Sequence, residues 1–149
     1  MKTLMIYTII LFSIFFQDKK EPFRDDNLIK IHTNLGGEEL FMKWGKHLTQ
    51  NGYFIDKSNK DFLTLETTER NTTKFNYEYK VFSSIDDNGV VLITIKWRAK
   101  ANAVMQTRGS DYIDWKYAKS RNNVNKIIFN ELYEIILSFG EYEIFFEQR

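Results

Sequence analysis

Two alternating runs, Phe75 to Ile85 and Val90 to Ala101, separated by Asp86-Asp87-Asn88-Gly89, constrain the fold more than any other stretch. Alternation with a period of two is the signature of a strand with one buried face. On the first run Phe75, Tyr77, Tyr79 and Val81 share a face. On the second, Val91, Ile93, Ile95, Trp97 and Ala99 oppose Thr94, Lys96, Arg98 and Lys100. A two-residue Asn88-Gly89 turn would set aromatic residues against lysines. A three-residue loop, Asp87-Asn88-Gly89, instead pairs Tyr79 with Trp97, Val81 with Ile95 and Glu78 with Arg98. A slip of one residue would turn the whole apolar face outward, and Gly89 supplies the left-handed last residue that such loops favour. The sequence therefore predicts the three-residue loop.

Around this hairpin the pattern changes to helix twice. Leu28 to Thr33 reads as a first strand. Leu40, Phe41, Trp44, His47 and Leu48 then recur at helical spacing over 38–50, with Glu38 and Glu39 in the first turn, where the helix dipole favours acids. Asn51-Gly52 is a stop signal. Tyr53-Phe54-Ile55 begins another strand, residues 57–61 read as a turn, Phe62 to Thr68 alternates, and 69–74 is a polar turn. Residues 102–110 read as a loop. From Asp111 the helical period returns through Ile113, Tyr117, Val124, Ile128, Leu132, Ile135 and Phe139, with a break near Asn122-Asn123 and a restart from Ser120 as the alternative. Gly140 ends it, and Glu141 to Glu147 reads as a short final strand. The fold class expected is α+β: an antiparallel sheet of about five to six strands with two helices packed on one face, in the order β-α-β-β-β-β-α with a last β.

The chain's start carries a different message. Lys2 precedes an apolar run from Leu4 to Phe16, and Gln17-Asp18-Lys19-Lys20-Glu21 then turns polar. A membrane-spanning helix needs about 20 apolar residues, whereas runs of roughly 10–14 suit a signal-peptide core. Residues 1–16 are thus read as a signal peptide or N-terminal membrane anchor, 17–27 as a flexible tether containing the only proline, Pro22, and 28–149 as one α+β domain. The expected location is exported, either periplasmic or extracellular, or held at the membrane through residues 4–16 if they stay attached. The chain has no cysteine, which excludes disulfides, thiolate metal sites and an acylated cysteine anchor. Formal net charge is +1, and Lys2 lies inside the apolar address, so the remainder is electrically balanced. Nucleic-acid binding, which calls for a basic excess on one face, is not expected.

Motifs of catalysis are sparse. His32 and His47 fall on the first strand and first helix, and an enzyme would need them to converge with a carboxylate. Asp86-Asp87-Asn88-Gly89 lacks the alternating oxygen ligands of a calcium loop. Asp111 and Asp114 are read as first-turn helix acids. Gly36-Gly37 lacks the further residues of a phosphate loop, and Ser110 has no nucleophile elbow. No metal or cofactor is implied. In Lys96-Trp97-Arg98-Ala99-Lys100, alternation puts Trp97 opposite the cations, so they make no stacking platform for single strands. Two candidate sites follow. Phe41, Trp44, Tyr77, Tyr79 and Trp97 would line the space between helices and sheet, a pocket for an apolar ligand if the helices stand off. Glu78, Lys96, Arg98 and Lys100, with Glu66 and Lys80, lie on the opposite face as a candidate partner surface.

The segment Trp44 to Thr68, with its Trp-x3-Leu-x3-Gly-Tyr-x-Ile shape followed by Leu-x-Leu-x-Thr-Thr, resembles the start of small helix-grip domains of bacterial envelope proteins, including the accessory lipoprotein of the outer-membrane β-barrel assembly machine. The resemblance implies a non-enzymatic module that contacts a protein or another envelope component. It carries no functional residue over, and the lipidated cysteine of that lipoprotein has no counterpart here. The leading expectation is therefore a non-enzymatic exported binding domain, with an apolar-ligand carrier as the alternative and an enzyme third.

Overall fold

The computed structural model describes residues 21–101, 109–140 and 142–149; the apolar run 4–16 and most of the 102–110 loop lie outside them. The described chain is an α+β structure. In chain order it comprises β1 (Leu28–His32), α1 (Gly37–Gln50), β2 (Ile55–Asn59), β3 (Thr64–Thr67), β4 (Arg70–Asn71), β5 (Tyr77–Ile85), β6 (Val90–Ala99), β7 (Ile113–Asp114), α2 (Val124–Leu137) and β8 (Glu143–Glu147). All pairings are antiparallel, in the order β2-β3-β5-β6-β1-β8, with the short β4 on β5 and the short β7 on β6.

The central hairpin has the register its alternation requires: Tyr79 pairs with Trp97, Val81 with Ile95 and Glu78 with Arg98. The turn is the three-residue loop, closed by the Asp86 amide on the Val90 carbonyl at 3.0 Å, with Gly89 at φ +80°. Gly89 also accepts from the amide and hydroxyl of Thr33, both at 2.9 Å. A Cβ there would sit 2.5 Å from the Leu35 carbonyl oxygen. The loop thus seats itself on the β1–α1 connection, and only glycine allows that approach.

Both helices cover one face. Trp44 of α1 meets Phe139, just beyond α2, edge to face at 5.0 Å, and the His47 Nε2–H donates to the Ile135 carbonyl at 2.8 Å. Beneath them lie Ile29 and Ile31 of β1, Tyr79, Val81 and Ile85 of β5, and Val91, Ile93 and Ile95 of β6, all buried. Each such aliphatic side chain contributes about 1.5–3 kcal/mol by leaving water. Asn51-Gly52 ends α1 with Gly52 at φ +79°, and Arg70 closes that end, donating to the Gly52 carbonyl at 2.9 Å and lying 4.4 Å over the Tyr53 ring.

Several segments differ from the sequence reading, among them Arg70–Asn71, which pairs with β5 as β4 inside the expected polar turn 69–74. Residues 57–59, expected in a turn, continue β2, where Lys57 pairs with Glu66 and Asn59 with Thr64. β2 is an edge strand whose side chains from Asp56 to Asn59 are exposed, so it shows no apolar alternation. The turn falls at 60–63, with the Asn59 side chain accepting from the amides of Asp61 and Phe62. Residues 113–117, expected as helix, are extended: Trp115 and Tyr117 are buried on either side of exposed Lys116, a period of two. The helix begins only at Val124, where the Asn123 side chain caps it by accepting from the Asn125 amide at 2.8 Å. Asp111 and Asp114 are therefore not first-turn helix acids; Asp114 sits 3.8 Å from Lys96. Finally, residues 22–27 of the expected tether are pinned. Asp25 donates to the Tyr117 carbonyl at 3.1 Å, Tyr117 donates back to the Asp26 carbonyl at 2.7 Å, and Asn27 donates to the Glu147 carbonyl at 3.0 Å.

Candidate functional site

The strands that bury odd-numbered residues under the helices present their even-numbered ones on the bare side of the sheet. That side divides into a charged ridge and a groove. On the ridge, Lys80 is surrounded by carboxylates: Glu66 at 2.9 Å, Glu69 at 3.5 Å and Asp56 at 3.7 Å. Lys57 reaches the other oxygen of Glu66 at 3.2 Å. Only 13% of the Lys80 side chain and 18% of the Glu66 side chain is exposed, so the pair is shielded although no described helix covers it. Hydrogen bonding from Lys80 holds the Glu66 carboxyl below its ordinary range, and Glu66 correspondingly raises Lys80. Further along, Glu78 accepts from Arg98 at 2.6 Å. The Tyr112 ring lies 4.4 Å from the Arg98 guanidinium, and its hydroxyl donates to Glu69 at 3.1 Å. Burial, with Glu69 beside it, pushes Tyr112 up to about 12.

The structure therefore brings Glu78, Arg98 and Lys96 onto one face, with Lys100 at its border bonded to the Asn71 side chain at 2.9 Å. Sequence reading missed Asp56, Glu69 and Tyr112. Their only signal was polar composition in segments read as turn, loop or helix.

The groove was also missed. It has a volume of about 770 Å³, within the range of small-molecule sites. Leu28, Phe82 and Leu92 line it, together with the hydroxyls of Ser84 and Thr94 and the cations Lys30, Lys57 and Arg149. A neighbouring hollow of about 340 Å³ shares Thr94 and Arg149 and adds Asn27, Lys96 and Asp114. The signal available was parity: Phe82 and Leu92 interrupt an otherwise polar even-numbered face. Chemically the groove offers apolar contact, hydroxyls and positive charge. Its carboxylate, Glu66, is held ionised by two lysines, which makes it a poor proton donor.

The aromatic set under the helices is placed differently from a pocket lining. Phe41, Trp44 and Tyr79 are buried members of the core, and Tyr77 and Trp97 are half-buried, meeting edge to face at 5.2 Å. None of the five lines either described cavity. Two of them anchor polar chains instead. The Trp44 Nε1–H donates to the Ser83 hydroxyl at 2.9 Å. Tyr53 and Tyr79 join through their hydroxyls at 2.7 Å, and Tyr79 donates to Glu131 of α2 at 3.1 Å. Glu131 also accepts from the amide and hydroxyl of Thr73, at 2.8 and 2.6 Å. Burial raises both phenols above their ordinary range, so they act as neutral hydrogen-bonding groups.

His32 is exposed beside Phe145 on the bare side, while His47 faces α2, so the sheet separates the two histidines. Among the described residues no group of three or more His, Asp or Glu side chains could hold a metal, and no helix is long and apolar enough to cross a membrane. Comparison with protein-family models, with curated proteins and with solved structures finds no match.

Proposed function

We propose that this chain is a non-enzymatic binding domain of the cell envelope, delivered there by residues 4–16 and contacting a protein or another envelope component through the bare face of its sheet. The observation that carries the binding part is the groove with an apolar floor, on the face that the helices leave open. On this face no described helix packs over Phe82, Leu92 and Leu28, and a partly shielded apolar trough of this kind, edged by polar groups, suits a contact site. The delivery part is supported by the run Leu4 to Phe16 behind Lys2. Hydroxyl-radical footprinting in intact cells against the purified chain tests the first: Phe82 and Leu92 should be protected in cells, and equal labelling overturns the reading. Mass measurement of the native N-terminus, together with cell fractionation, tests the second; a cytosolic chain retaining Met1 would end it.

A further inference from the structure

We infer that the groove on the bare sheet face takes a small apolar molecule bearing a single anionic group, whose charge is met by Arg149. This deepens the binding reading above and rests on it. The floor comes from three adjacent strands: Leu28 of β1, Leu92 of β6 and Phe82 of β5. Leu28 is only 8% exposed although it faces away from both helices. Such a floor favours an apolar body. The rim decides the charge. Glu66 is already shared by Lys57 and Lys80, and Glu147 takes Lys30 at 2.6 Å. Those lysines are neutralised by their own partners. Arg149 is different: its backbone amide is fixed by the Asn27 side chain at 2.7 Å, while its guanidinium has no hydrogen bond or ion pair among the described residues. It lines both hollows and so stands where the apolar floor ends.

An uncommitted guanidinium at the border of a partly shielded apolar trough is suited to a carboxylate or sulfonate, which it can grip with two parallel hydrogen bonds. A polyanion would need further uncommitted cations, which the neutralised lysines do not provide. An uncharged molecule would leave Arg149 unused. The Ser84 and Thr94 hydroxyls supply secondary donors beside the same trough. The ligand class is accordingly a free amphiphilic acid with one charge.

The test uses a matched pair of fluorescent probes on the full chain: anilinonaphthalene sulfonate, an apolar anion, and phenylnaphthylamine, the same ring system without the charge. The anion should bind once per chain and about tenfold more tightly than the neutral probe, the effect expected of one charge-assisted contact. Arg149→Ala should remove that preference while leaving phenylnaphthylamine binding and the thermal midpoint unchanged. Phe82→Asp should weaken both probes; Leu92→Thr serves the same purpose should Phe82→Asp not fold. Equal affinity for the two probes, or an anion preference that survives Arg149→Ala, overturns the inference. If neither probe binds while Phe82 and Leu92 are protected in cells, the ligand class is wrong and the binding reading stands. If the anion binds through Arg149 but the face is unprotected in cells, the ligand class holds and the envelope-contact reading fails.

Discussion

The two sides of one sheet show how the same strands can carry two kinds of chemistry. Under the helices, odd-numbered residues of β5 and β6 form a buried layer whose own polar side chains are uncharged, Ser83 bonded to Trp44 and Tyr79 to Tyr53, with the Glu131 carboxylate of α2 at its edge. On the bare side, even-numbered residues of the same strands form ion pairs, Lys80 with Glu66 and Arg98 with Glu78, around an apolar groove. The covered side responds to lost volume and lost hydrogen bonds. The bare side responds to pH and salt. Substitutions should separate the two accordingly.

The largest effect is expected at Trp44→Ala, which removes a fully buried ring and orphans the Ser83 hydroxyl; urea unfolding should show a loss of about 3–5 kcal/mol. Gly89→Ala should cost roughly 1–3 kcal/mol by the same measurement, because its φ is left-handed and the new Cβ meets the Leu35 carbonyl. Tyr79→Phe should cost about 1–3 kcal/mol, since the Tyr53 hydroxyl and a Glu131 oxygen lose their shared partner with no change in packing. These three losses should vary little with salt.

Lys80→Met should behave differently. At neutral pH it should cost about 1–2 kcal/mol, and the cost should shrink in acid. The sign follows from Glu66: its carboxyl is held low in the folded state, so the stabilisation is present above its ordinary value and disappears as pH falls through the folded one. Thermal unfolding across that acid range checks it, and a pH-independent penalty would show that Lys80 acts through packing. The smallest effect belongs to Tyr112. Its raised value means that its contribution is intact below about 10 and is lost as pH rises towards about 12. Phenolate absorbance of wild type against Tyr112→Phe reads that step directly.

How much of this the sequence disclosed depends on how local the cause was. The hairpin register was legible because parity and Gly89 constrain each other within a few residues. α1 was legible because its apolar stripe and the Asn51-Gly52 stop are contiguous. β2 was obscured because an edge strand buries little and so lacks alternation. Residues 113–117 imitated a helix because Ile113 and Tyr117 stand four apart, although Ile113 is half exposed and Trp115 is the buried neighbour of Tyr117. The charged face could be drawn from alternation on β5 and β6 alone. The groove could be drawn only in part: parity marks Phe82 and Leu92, but its floor joins β1 to that hairpin and its uncommitted cation arrives from 122 positions beyond Asn27.

The position of β1 has a consequence for assembly. It lies between β6 and β8, so its outer neighbour is synthesised after every other described strand. Until β8 arrives, the backbone of Leu28–His32 has one open flank, and the seam of the sheet stays unsealed. Contacts between such distant parts of a chain form slowly. If residues 4–16 deliver the chain as proposed, it travels with this seam open and closes once β8 is available.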